Sequence, residues 1–187
     1  MTLNRILLLV YVAGLLSCAN QLNLATYQDY KKQGSAAEAR GDWHTAEMAY
    51  YRAAENVRWG NLGPSYESTS LYDLGRAKRF VGKLDESEQL LSQALAIDEK
   101  LYGPNHAYTA GTISELAATY YLAKKYDLGV PLMIRLEGLI PNNPAIYAPG
   151  SRSRKFVKQL FEKYADAIRA ISSTSEAERF QKIAAIL

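Results

Sequence analysis

The sequence predicts an all-α fold, a solenoid of stacked helix hairpins, and three observations lead there. Small and large residues recur together at steps of 41 and 42 positions. Apolar residues run at helical spacing, as in Leu116, Ala117 and Tyr120, with no alternating strand pattern. The chain of 187 residues, 48% apolar and 22% charged, has enough apolar surface for one real core. The same composition closes off other classes. Six Pro and twelve Gly exclude a collagen-like chain, and a single Cys excludes an internal disulfide framework or a cysteine-rich zinc site. A net charge of +3 gives nucleic-acid binding no support. Tyrosine is the one excess, fourteen against two Trp and four Phe, and such rings suit both helix packing with a wet edge and binding surfaces.

Residues 1–17 read as a secretory signal peptide. Arg5 supplies a positive start, Ile6 to Leu16 is apolar apart from Tyr11 and Gly14, and no acid precedes Asp29. That stretch falls short of the roughly 20 residues a membrane-spanning helix needs. Leu15-Leu16-Ser17-Cys18 resembles the bacterial lipobox, with a branched apolar residue three before the Cys and a small one just before it. Leu16 departs from that pattern, standing where a small residue is usual. The resemblance implies lipid attachment at Cys18, palmitate included, and residence in the bacterial cell envelope. Asn20 is not the Asp associated with inner-membrane retention, so the expected location is the outer membrane, facing the periplasm. Residues 18–26 are expected to be a tether.

Residues 27–141 hold three repeats. Gly34, Gly75 and Ala117 align, then Gly41, Gly82 and Lys124, then Trp43, Leu84 and Tyr126. Ala46, Ser87 and Gly129 continue the register, followed by Tyr50, Leu91 and Met133 and by Ala53, Ala94 and Leu136. Close helix crossings need a small side chain facing a large one, which gives the alternation its physical reason. Trp43, Leu84 and Tyr126 are expected to be buried at equivalent places. Thr26 and Ser65 fit N-caps, Asp85 with Glu88 and Ser175 with Glu178 have capping-box spacing, and Gly63-Pro64 and Gly103-Pro104 act as stop signals. Pro131 is expected to deform the first turns of its helix.

This pattern resembles the tetratricopeptide repeat, and its long period with the Gly103-Pro104-Asn105-His106 turn resembles the kinesin-light-chain type. The resemblance spans roughly residues 27–140 and implies a superhelix whose first helix of each hairpin lines a concave groove. Residues 142–151 form a linker. Residues 152–187 read as a degenerate fourth repeat or a helical cap, with Ala165, Ala177 and Ala184 at the expected offsets.

Chemistry-bearing patterns are sparse. His44 and His106 have structural or solvent roles as the simplest reading, and no metal, nucleotide or nucleophile motif occurs. Asp85 with Glu86 and Asp98 with Glu99 read as solvated helix faces. No catalytic residue, metal or cofactor is expected. By the resemblance, inward positions fall on Lys31, Ser35 and Glu38, on Tyr72, Arg76, Arg79 and Phe80, and on Ser114, Ala118, Tyr121 and Leu122. Arg76 and Arg79 share a helix face with Tyr72, a grouping suited to carboxylates or acidic peptides. Tyr72, Arg76, Arg79, Phe80 and Tyr121 are thus the expected partner groove. The implied function is a non-catalytic envelope lipoprotein that acts as a protein-interaction scaffold or assembly factor for a membrane-associated partner. The alternatives are a structural module that self-associates through its Tyr-rich convex surface and an accessory subunit of an envelope enzyme.

Overall fold

The computed structural model describes the backbone of residues 3–145, 147–171 and 174–187, and side chains over 20–145, 147–170 and 175–187. Within these residues there are eight helices and no strand: α1 (Leu3–Ala39), α2 (Trp43–Gly60), α3 (Pro64–Phe80), α4 (Leu84–Tyr102), α5 (Ala107–Leu122), α6 (Tyr126–Leu139), α7 (Arg152–Ile171) and α8 (Thr174–Ile186). They pair as four hairpins, each stacked on the last. No helix of the described residues is long and apolar enough to cross a membrane.

The small-against-large alternation is the packing rule of the hairpins. A Cβ on residue 34 would lie 2.5 Å from the Tyr50 ring, and one on residue 75 would lie 2.8 Å from Leu91 Cγ. Tyr50, Leu91 and Met133 are all buried at this level. The turn that closes each of these three hairpins repeats as well. Gly41, Gly82 and Lys124 are all left-handed, at φ 75°, 82° and 56°. Each following amide reaches back to a carbonyl five residues earlier, Asp42 to Ala37 at 3.0 Å, Lys83 to Lys78 at 2.9 Å and Lys125 to Tyr120 at 2.9 Å. Those bonds satisfy carbonyls that a helix end leaves orphaned.

Ion pairs repeat in the same register. Lys83 reaches Glu47 at 2.6 Å and Lys125 reaches Glu88 at 2.6 Å, so each staples one hairpin to the next. Glu47 also takes Lys78 at 2.7 Å. Burial opposes the Glu47 charge, but hydrogen bonds from Lys78 and Lys83 prevail and hold its carboxyl below the ordinary value.

Several local expectations are corrected. Trp43, Leu84 and Tyr126 are half-buried, because they open their helices at the edge of each hairpin and not at its centre. Thr26 lies inside α1, its hydroxyl donating to the Leu22 carbonyl at 2.8 Å. Residues 18–26 are helical, since nothing between Arg5 and Thr26 breaks a helix strongly; the Cys18 side chain lies outside the described residues. Gly63 is the N-cap of α3, with Pro64 at N1, and Ser65 instead bonds the Tyr102 hydroxyl at 2.8 Å. Lys83 caps α4 through its backbone alone, so Asp85 and Glu88 form no capping box. The Ser175 hydroxyl donates to Glu176 at 2.7 Å. Pro131 stands inside α6, where the sequence places it.

Residues 152–187 form the fourth hairpin, with Ala165, Ala177 and Ala184 buried. Its main anchor is Tyr164, fully buried, whose hydroxyl donates to the Ala117 carbonyl at 2.8 Å. Arg154 closes the far end, donating from Nε to the Leu187 carbonyl at 2.6 Å and from a terminal nitrogen to the Tyr147 carbonyl at 3.1 Å.

Candidate partner groove

The concave wall is assembled from α1, α3, α5 and α7, with Arg76 and Arg79 one turn apart on α3. Arg76 pairs with Glu38 of α1, which also accepts from the Tyr50 hydroxyl at 2.8 Å. Arg79 pairs with Glu115 of α5 at 2.5 Å, and both side chains are 8% exposed. Three hairpins are thereby tied across the groove. Both pairs use a terminal guanidinium nitrogen, leaving Nε of Arg76 and Nε of Arg79 buried with no hydrogen-bond partner. A buried N–H without an acceptor is costly, so these two donors are the least satisfied polar atoms of the wall.

Both arginines line a cleft of about 290 Å³, together with Tyr72, Phe80 and Phe156. Trp43 and Phe80 stack at its rim, 3.7 Å apart and 5° from parallel. The Arg79 guanidinium lies 4.4 Å from the Phe80 ring centre and 5.9 Å from that of Phe156, a cation held between two rings. Arg152, exposed and, among the described residues, without an ion pair, adds a third cation to a lining whose described acids are Glu38 and Glu115. Burial works against the Arg76 charge, but Tyr72, Glu115, Glu38 and Asp73 outweigh it and keep the guanidinium firmly charged. Burial also pushes the Tyr72 phenol up, so that ring stays neutral.

Of the expected groove residues, Tyr72, Arg76, Arg79 and Phe80 converge on this cleft, with Glu38 and Ser114 beside them. Tyr121 does not join them. It lines a small neighbouring depression with Arg79, Ala118, Leu122 and Phe156, under the Lys163 ammonium at 5.8 Å. Ser35 is exposed and lines neither. Lys31 lines a second concave cavity of about 320 Å³, which shares Tyr72 and Gly111 with the first. Asp98 is buried there, accepting from Ser68 and, at 2.7 Å, from Thr112. Its reading as a solvated face is therefore corrected, and Glu99 is engaged by Arg135.

Sequence reasoning missed the wall that α7 contributes, Arg152 and Phe156, because the longer linker after α6 breaks the repeat step. It also missed a cavity of about 440 Å³ on the convex side, lined by Tyr51, Leu62, Leu71 and Leu90 among others. His106 has a structural role, capping α5 by accepting from Tyr108 N at 3.2 Å and stacking on Tyr102. Among the described residues no group of His, Cys, Asp and Glu could hold a metal ion.

A family model for the tetratricopeptide repeat matches residues 66–128. No curated protein matches the chain. Among solved structures, the chain superposes on BtubC (BKLC) from P. vanneervenii with a TM-score of 0.70 at 19% identity, covering 86% of this chain. It spans 63% of that relative's length. It also superposes on the nearly identical TPR-like repeats of a protein assigned as a kinesin light chain from Podosopora anserina, with a TM-score of 0.64 at 17% identity, covering 98% of this chain and 90% of that one. At such identities the likeness is one of fold. Three hairpins in register, the repeat match over residues 66–128 and these superpositions give the chain the fold of a tetratricopeptide-repeat solenoid, similar to that of the kinesin-light-chain-like repeats.

Proposed function

We propose that the protein is a non-catalytic lipoprotein of the bacterial envelope, anchored through Cys18, whose concave cleft receives an acidic segment of a partner protein. The observation that carries the reading is the convergence of Arg76, Arg79 and Arg152 with aromatic rings on one cleft, whose lining holds only Glu38 and Glu115 as acids among the described residues. A carboxylate entering this cleft meets three guanidinium groups, and a shift of the Arg76 and Arg79 side chains would offer it their buried, unpartnered Nε–H donors in charge-assisted hydrogen bonds. The stacked Trp43 and Phe80 rings offer apolar contact to its neighbours on the partner.

The lipobox at Leu15 to Cys18 supports an envelope address at the outer membrane, facing the periplasm. A helical segment from Cys18 to Thr26 advances only about 1.5 Å per residue, which keeps the groove close to the lipid and favours a membrane-associated partner. The test is photo-crosslinking in intact cells from position 80, at the cleft rim, and from position 48, on exposed convex surface. A protein adduct from position 80 alone supports groove binding. Adducts from position 48 alone move the partner to the convex face. Labelled palmitate entering the wild type but not Cys18→Ser supports the anchor.

A further inference from the structure

One edge of the solenoid is continuous with the proposed lipid-attachment point and carries its most exposed large apolar side chains. One contact within each hairpin marks it. A Cβ on residue 60 would meet Asn23 at 2.6 Å, Ser65 bonds Tyr102 at 2.8 Å, Asn143 donates to the Asn105 carbonyl at 3.2 Å, and Arg154 holds Leu187. The end of α2 therefore lies beside residue 23 of α1, and Cys18 precedes Leu22 by four helical residues, about 6 Å along the axis.

Large apolar side chains stand exposed along this edge. Trp59 is 74% exposed, Leu22 69%, Tyr108 61% and Ile186 77%. The indole N–H of Trp59 is already taken by Glu55 at 3.2 Å, so the ring is what the surface offers. Among the described residues, Lys100, Arg152 and Lys155 are exposed here without an ion pair, and Glu67 is the one exposed acid of these terminal turns without a base. The opposite edge, where α2, α4 and α6 begin, is charge-balanced: Asp42, Asp85, Glu86 and Asp127 stand beside Arg40, Lys83, Lys124 and Lys125, with Asp85 on Lys125 and Glu86 on Lys78. Aromatic and aliphatic side chains beside unpaired cations suit the headgroup layer of an anionic bilayer, and a balanced edge has no such net attraction.

We propose that the edge carrying Leu22 and Trp59 lies against the bilayer that holds Cys18, with Trp59 in the interfacial layer and the unpaired bases over anionic headgroups. The inference rests on the lipoprotein reading above. It gives the anchored solenoid a fixed orientation, standing on its Trp59 edge with the Trp43 edge directed away from the membrane.

The two tryptophans lie on opposite edges, which makes the test direct. Full-length protein purified from membranes is reconstituted into vesicles of phosphatidylethanolamine and phosphatidylglycerol with chains brominated near the headgroup. The wild type, Trp43→Phe and Trp59→Phe are compared with the same proteins in unbrominated vesicles. The expected result is that Trp59, alone in Trp43→Phe, emits further to the blue and loses most of its intensity, while Trp43, alone in Trp59→Phe, is unaffected. If Trp43→Phe loses helicity, the difference between wild type and Trp59→Phe gives the same readout. A palmitate-labelled protein that floats with the vesicles while Trp59 stays unquenched overturns the orientation and leaves the anchor standing. A protein that neither labels nor floats overturns the anchor, and this inference with it.

Discussion

Tyr164 occupies the space that Gly129 leaves empty: its hydroxyl sits 1.7 Å from where a Cβ on residue 129 would be. The same hydroxyl bonds the Ala117 carbonyl at 2.8 Å, so one missing methyl in α6 lets the fourth hairpin dock on the third. Gly129→Ala is expected to destabilise the protein by about 1–3 kcal/mol in urea unfolding, because overpacking here outweighs the roughly 1 kcal/mol of helix propensity that Ala gains. A stabilised Gly129→Ala variant would contradict this docking.

Lys124 takes the left-handed turn position that glycine holds in the two preceding hairpins, at φ 56°. A side chain in that conformation costs roughly 1 kcal/mol, and the exposed lysine has no ion pair to offset it. Lys124→Gly is expected to raise the thermal midpoint, and Gly82→Ala to lower it by a comparable amount. A midpoint lowered by Lys124→Gly would show that the turn geometry is not shared.

Glu47 makes stability depend on acid. Its folded carboxyl titrates below the ordinary 4.5, so its contribution is complete above that pH and is lost as pH falls through the folded value. Glu47→Gln should therefore be less stable than the wild type at pH 7, and the two should converge as pH drops below about 4.5. Denaturant midpoints at several pH values check this, and a gap that persists in acid would contradict it.

How much was legible varies with the kind of signal. The hairpin register could be read from Gly34, Gly75 and Ala117 because close crossings permit only small residues there, and Tyr50, Leu91 and Met133 lie opposite. The caps were less legible. Ser65 and Asp85 have the right residue types, but Gly63-Pro64 and the Gly82 turn fix the helix starts through backbone geometry first. In the groove, Arg76 and Arg79 could be placed from helical spacing, whereas their partners Glu38 and Glu115 lie 38 and 36 residues away. No local pattern announces such a pair. Arg152 and Phe156 depend on the path of the linker, which has no period.

The ion pairs also decide how the central claim is tested. Reversing Arg76 and Arg79 to Glu would set buried carboxylates against Glu38 and Glu115, and breaking a buried pair costs about 3–5 kcal/mol, so lost binding would be confounded by lost folding. Arg76→Lys with Arg79→Lys keeps each positive charge opposite its acid and removes both Nε–H donors. The most direct measurement is the affinity of immobilised Asp- and Glu-containing peptides, beside their Asn and Gln counterparts, for the wild type and this double variant. The account predicts that acidic peptides bind the wild type, that their amide counterparts do not, and that the double variant loses about tenfold or more in affinity while its melting temperature changes little. Equal binding of acidic and amide peptides, or undiminished binding by the double variant, would contradict it.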